Sequence, residues 1–297
     1  MILLYELVQV AEHTYYIECP AKIGIYEDSD GVYVIDSGND KEAGRKIKKI
    51  LEQKNWNLKA ILNTHSNADH IGGNQFLQKR FQCAIYSTPL ENAVIENTIL
   101  EPSFLYGGYP FAALRHKFLM AQQSQATNIA DAKLPDGFEI LYLPGHFWDM
   151  IGFKTPDNVY FMADCISSEA ILNKYHISFI YDVKKYLETL DYISTLKGKL
   201  FIPAHTETTE NIATLADINR KKVYEIIELL LSFCQTPSTS EEVLKKVFDH
   251  YNLVMDASQY VLVGSTIRSY LSYLIDEKKL TTEVVENRFL FHTVASI

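Results

Sequence analysis

The sequence predicts a layered α/β protein with a helical unit at its C-terminal end. Two observations carry this. Up to residue 205, strand-like apolar runs alternate with helix-like segments, whereas past residue 208 the texture turns helical and closes on a hairpin-like pair. With 297 residues, 47% hydrophobic and 22% charged, the chain can bury a sizeable core. The expected division is 1–208 for the layered part and 209–297 for the helical part.

Taken in order, "GVYVIDSG" (31–38) is β-branched and aromatic and stops at Ser37-Gly38, so it reads as a strand running into a turn. "DKEAGRKIKKILEQK" (40–54) has its apolar residues at helical spacing. "KAILNTH" is a second strand, "GGNQFLQKRF" a helix and "CAIYST" (83–88) a short strand. The aromatic stretch "EPSFLYGGYPFAALRHKFLMAQQ" (101–123) fits neither a sheet edge nor a plain amphipathic helix. Three more apolar runs follow, "FEILYLPGH" (138–146), "NVYFMADC" (158–165) and "GKLFIPAH" (198–205), with the amphipathic "YDVKKYLETLDYISTLK" (181–197) between the last two.

In the C-terminal part, "ATLADINRKKVYEIIELLLSFC" (213–234), "SEEVLKKVFDHY" and "QYVLVGSTIRSYLSYLIDEKKL" read as helices, and "TTEVV" and "RFLFHTV" as the arms of a hairpin. Ser238 and Glu241 have the spacing of a capping box. Helices ending in a small hairpin suggest a winged-helix-like unit. Residues 236–297 carry six Lys/Arg against eight Asp/Glu, so a packing, dimerising or substrate-covering role is favoured over DNA binding.

Chemistry concentrates at strand ends. "AILNTH", "ILYLPGH", "VYFMAD" and "LFIPAH" each stop at a residue that ligates hard or borderline metals: His65, His146, Asp164 and His205. If these strands lie side by side, their ends form one rim, and loops at such rims are where rigid scaffolds carry chemistry. Imidazole with carboxylate suits zinc, iron or manganese.

"HSNADH", "PGH", "MAD" and "PAH", in this order and preceded by "VIDSG", resemble the metallo-β-lactamase-fold hydrolases, including the glyoxalase-II-like ones. The hallmark of that family is a His-x-His-x-Asp-His loop followed by Gly-His, a bridging Asp and a final His. The resemblance covers about residues 8–207. It implies a four-layer αββα sandwich with one or two divalent metal ions on its edge, zinc first, with iron and manganese as alternatives. It also implies that His65, His146 and Asp164 hold metal one, and that Asp69, His70, His205 and the shared Asp164 hold metal two. Asp69 and Asp164 would position the attacking water, and Asp36 would orient a ligand. Asn67 stands where the family has its second histidine. A neutral amide is a poorer zinc ligand than imidazole, so Asn67 is expected beside the metal rather than on it, and site one to be the weaker.

The expected function is metal-dependent hydrolysis of a small ester, thioester or lactone by a metal-activated water. The alternatives are a nuclease or phosphodiesterase, and a non-catalytic metal- or ligand-binding member of the fold. A mononuclear enzyme using site two is the other form of the hydrolase reading. The family resemblance makes His176 a candidate for the substrate pocket. The aromatics Phe104, Tyr106, Tyr109 and Phe111 beside glycines read either as core or as a pocket wall or lid. His13, His116, His250 and His292 read as ordinary polar or packed residues.

The remaining observations bound the class. A formal net charge of −9 argues against a wide nucleic-acid footprint. The start "MILLYELVQVAEHTYY" has no basic n-region and is expected to be no signal peptide, and no stretch approaches a spanning helix. Cys19, Cys83, Cys165 and Cys234 lie far apart without CxxC spacing, which reads as free thiols in a reducing cytoplasm. The expected partner is a small-molecule substrate, with no membrane, and a homodimer is compatible with the C-terminal unit.

Overall fold

The computed structural model describes residues 5–294; residues 1–4, the opening of the expected non-signal stretch, and 295–297 lie outside them. An antiparallel meander comes first: β1 (Glu6–Gln9), β2 (Thr14–Glu18), β3 (Ile23–Asp28) and β4 (Gly31–Ile35). Then α1 (Lys41–Lys54) leads to β5 (Leu58–Leu62), and α2 (Ala68–Ile71) with α3 (Asn74–Phe81) leads to β6 (Ala84–Ser87). α4 (Pro89–Glu96) and α5 (Leu100–Tyr106) precede β7 (Thr127–Asn128). From β4 to β7 the pairing is parallel, as helical crossovers require, and the sheet runs in the order β1 to β7.

The second sheet has the order β11-β10-β9-β8. It is built from β8 (Glu139–Tyr142), β9 (Ile151–Lys154), β10 (Val159–Ala163) and, after α6 (Glu169–Tyr175) and α7 (Val183–Ser194), β11 (Leu200–Pro203). Only β10 and β11 pair in parallel there. α8 (Ile212–Phe233), α9 (Ser240–Tyr251) and α10 (Ala257–Asp276) follow, then the hairpin β12 (Leu280–Val285) and β13 (Arg288–Thr293).

Strand alternation sorts the side chains into layers. Tyr33 and Ile35 of β4 meet Phe153, Val159 and Phe161 of the second sheet, while Val32 and Val34 pack with Ile47 and Leu51 of α1. On β10, Val159 and Phe161 face the first sheet, and Tyr160 and Met162 face α7 through Leu190 and Ile193. The result is the αββα sandwich. The C-terminal helices share its outer core: Ile226, Val247, Tyr270 and Leu274 belong to the same buried cluster as Met162 and Leu190.

Several local expectations shift. The capping box lies one residue on: the Glu242 backbone N–H donates to Thr239 Oγ1, and the Thr239 N–H donates to the Glu242 carboxylate. Ser238 is instead tied to Phe291 of the hairpin by two backbone bonds. Four strands without clean alternation, β1, β2, β3 and the four-residue β9, were not legible in the pattern. All four cysteines are buried and free, and among the described residues no helix is long and apolar enough to cross a membrane.

Candidate metal centre on the sandwich rim

Parallel pairing places the C-terminal ends of β4, β5, β10 and β11 where Asp36, His65, Asp164 and His205 follow them. Local backbone geometry aims these residues. Asp36 adopts φ +63, a left-handed conformation that Asp tolerates better than most residues, and Ala163 turns the end of β10 at φ +49 beside a register shift with β11. Gly145, ahead of His146, sits at φ +124 with its Cα against the Tyr186 backbone; a Cβ there would fall 2.4 Å from Tyr186 N. Only glycine fits the turn that delivers His146.

Each of the four imidazoles has Nδ1 tied to a fixed partner and Nε2 turned to the rim. His70 Nδ1 donates to Asp36 Oδ2 at 2.8 Å, His146 Nδ1 to Phe179 O at 3.0 Å and His205 Nδ1 to Pro20 O at 2.7 Å. His65 Nδ1 lies 3.0 Å from Thr64 Oγ1, whose proton goes to Asp36 Oδ2, so the hydroxyl accepts from His65. Such bonds fix the tautomer and ring orientation of metal-binding histidines.

The free atoms converge. Asp164 Oδ2 lies 3.2 Å from His205 Nε2, 3.6 Å from His146 Nε2 and 4.0 Å from His65 Nε2, and Asp164 Oδ1 lies 3.3 Å from His70 Nε2. Asp69 Oδ2 is 3.2 Å from His205 Nε2 and 3.9 Å from His70 Nε2. A tetrahedral site with metal–nitrogen bonds of about 2.0–2.1 Å spaces its ligand atoms about 3.3 Å apart. His65 Nε2, His70 Nε2 and Asp164 Oδ1 are buried without a hydrogen-bond partner, a costly condition that a metal ion would relieve. The donor set therefore fits a metal ion. His65, His70 and Asp164 form one close group and Asp69, His70 and His205 another, so His70 stands nearer to both sites than the family assignment alone implies.

Electrostatics separates the histidines. Burial, reinforced by the His70 charge, holds His65 well below the usual imidazole range, and burial lowers His146 as well. Burial opposes the charge on His205, but the Asp164 and Asp69 carboxylates push it up to about 10. His205 is therefore protonated at neutral pH in the metal-free chain and must lose that proton to ligate. Metal affinity should accordingly rise with pH, about tenfold per unit for each proton released, up to about pH 10. The same proton stabilises the metal-free fold. Its contribution is complete below the ordinary value of 6.5 and is lost as pH rises through about 10. Calorimetric zinc titrations at pH 7 in buffers of different ionisation enthalpy should show at least one proton released per chain, and none released would contradict this.

Asn67 is closer to the centre than the sequence suggests. Its Oδ1 lies 3.2 Å from His146 Nε2, while its Nδ2 donates to Glu101 Oε1 at 2.8 Å. Two buried carboxyls behind the ligand loop were missed. Glu101 is 4% exposed, and burial pushes its carboxyl well above the usual range despite the Asn67 bond. Glu91 accepts from Ser66 N, Ser66 Oγ and Asp149 N, and burial pushes it up to about 7. Glu101 lies in a stretch with no clear period, so no sequence signal marked it.

The expected substrate contacts lie elsewhere. His176 stacks on Tyr251 with ring centroids 4.2 Å apart, because α6 ends against the C-terminal helices. Tyr109 is 73% exposed and pairs with Arg115, and Tyr106 packs on Phe111 at the surface. None of the three lines the cavity at the metal rim. That cavity, about 530 Å³, has His146, Asp164 and His205 at one side. Ile166, Ile171, Ile177 and Phe179 form further walls, with Leu262 and Val263 of α10.

Comparison with known proteins agrees with this architecture. The chain matches the Metallo-beta-lactamase superfamily over residues 16–205. It is 30% identical over 131 residues to the hydroxyacylglutathione hydrolase GloC of Haemophilus influenzae, a match covering 43% of this chain and 58% of that protein. The chain thus spans less than two thirds of that relative. A beta-lactamase domain protein from Burkholderia ambifaria superposes with a TM-score of 0.78 at 14% identity, over 99% of this chain and 95% of that one. A metallo-beta-lactamase family protein from Thermus thermophilus gives 0.69 at 14% identity, over 97% of both chains. At such identities these two likenesses speak for the fold alone, the C-terminal helices included.

Proposed function

The chain belongs to the metallo-beta-lactamase superfamily, and from that premise we propose that it is a metal-dependent hydrolase of a small ester, thioester or lactone with an apolar acyl part. The observation that carries the substrate class is the rim cavity, whose floor is the candidate metal centre and whose walls are mostly apolar. His65, His146 and Asp164 would hold one ion, and Asp69, His70, His205 and Asp164 a second. Bound there, the metals would supply a water of lowered pKa and polarise a carbonyl oxygen.

The residues of the chain do the rest. Ile166, Ile177 and Phe179 take the acyl group out of water, and Leu262 and Val263 let α10 close the far wall. Burial opposes ionisation of Asp69, but His70 and His205 hold its carboxyl well below the usual carboxylate range, so it stays ionised and can accept a hydrogen bond that orients a water. Lys174, on the cavity wall, is placed to pair with an anionic leaving group. The Haemophilus relative is a hydrolase by its name, and hydrolysis is the part carried over.

The test is a panel of acyl thioesters, aryl esters, lactones and an aryl phosphodiester, offered to protein loaded with zinc, iron or manganese. Turnover of an acyl substrate, with KM falling as the acyl chain lengthens to fill the cavity, is the expected result. Preference for the phosphodiester would overturn the acyl reading, and no turnover of any class by metal-loaded protein would overturn the enzyme.

A further inference from the structure

We propose that the Asn67 side-chain oxygen is itself a ligand of site one, and that buried Glu101 is the positioning residue that turns it there. The pair would stand in for the imidazole that the family motif carries at this position.

The two ends of a carboxamide are distinguished only by their hydrogen-bond partners. Here Nδ2 donates to Glu101 Oε1 at 2.8 Å, which leaves Oδ1 facing His146 Nε2 at 3.2 Å. The nitrogen of an amide has no lone pair to offer a metal, whereas its oxygen is a hard donor of the kind that binds calcium, magnesium and manganese. Reversing the amide would point two N–H groups at the ligand cluster and give up the bond from Nδ2 to Glu101 Oε1.

Glu101 is held for this task. It shares a face of α5 with Phe104, one turn on, and Phe104 packs edge-on against Trp148 and Tyr181, both at 5.5 Å between centroids. Trp148 in turn stacks on Phe147, the residue after His146. The helix that carries Glu101 is thus anchored to the loop that carries His146, and Leu105 packs with Val261 of α10 on the other side. Site one then has two imidazoles, a carboxylate and a carbonyl oxygen, matching the two imidazoles and two oxygens of site two. It remains the weaker because one oxygen is neutral.

This inference rests on the two-metal reading of the rim, and the experiment separates the two. Cobalt(II) titrations followed by visible absorption would resolve the tight and weak sites in wild type, Asn67→Leu, Glu101→Leu, Glu101→Gln and the double leucine variant. Asn67→Leu and Glu101→Leu should each weaken the second cobalt by about 10- to 100-fold, the usual range for a residue that orients a ligand. The first cobalt, unchanged, reports that the fold is intact. Glu101→Gln keeps an acceptor oxygen and should bind as wild type, and the double variant should bind no worse than Asn67→Leu. A Glu101→Leu effect that adds in full to Asn67→Leu, or failure of Glu101→Gln to restore binding, would overturn the proposal. If Glu101→Leu does not fold, Asn67→Leu must still lose the second cobalt and Glu101→Gln must still keep it. Wild type that takes one cobalt but no second overturns this inference and leaves the hydrolase standing, whereas wild type that takes none overturns both.

Discussion

Asp164→Ala should strip both metals from the chain and leave hydrolysis at the rate seen without enzyme. One carboxylate faces all four rim imidazoles, from 3.2 Å at His205 to 4.0 Å at His65, so its loss takes a ligand from both sites at once. Its loss also leaves the His70 and His205 protons short of their counter-charge in the metal-free protein. Removing one partner of a buried charge pair costs about 3–5 kcal/mol, so the melting temperature should fall as well. Asp164→Asn keeps the shape and removes the charge, and it should fail in the same way. Metal content by plasma emission, measured beside turnover, checks both variants. Retention of one tight metal by either would mean that Asp164 serves a single site.

Asp36→Ala should be the second most damaging change, although Asp36 faces no substrate. Its buried carboxylate accepts from Thr64 N, from Thr64 Oγ1 and from His70 Nδ1, all at 2.8 Å. Alanine would leave these donors unpaired inside the fold, release His70 and, through Thr64, His65, and meet strain at φ +63. The expected cost is about 3–5 kcal/mol of stability by urea unfolding, with metal affinity down by about 10- to 100-fold. Asp36→Asn keeps one acceptor oxygen and the left-handed backbone, so it should fall between alanine and wild type. Equal stability of wild type and Asp36→Ala would show that the network does not hold the ligand loop.

How much of this was legible in the sequence varies with how local each cause is. The rim was readable because four apolar runs stop at His65, His146, Asp164 and His205, and a strand delivers whatever follows it to one edge. The helix at Lys41–Lys54 was readable from its spacing, with Asp40 as its cap. β2 and β3 were not readable, because "TYYIE" and "IGIYED" are buried on both faces and lose the alternation that marks a half-exposed strand. Glu101 escaped because nothing in "LEPSFLY" signals burial; its place depends on Phe104 finding Trp148 and Tyr181 from distant parts of the chain. His176 was misplaced for the same reason, since its stacking partner Tyr251 comes from α9. Asn67 stands out in the motif, but the bond from its amide to Glu101 could not be read from it.

The most direct measurement is the metal content of the reconstituted chain together with anomalous scattering from its crystals. Two ions per chain, both within bonding distance of Asp164, with Asn67 Oδ1 facing the ion beside His146, is the expected result. A chain that holds no ion after reconstitution with zinc, iron or manganese, or that holds one away from Asp164, would contradict it.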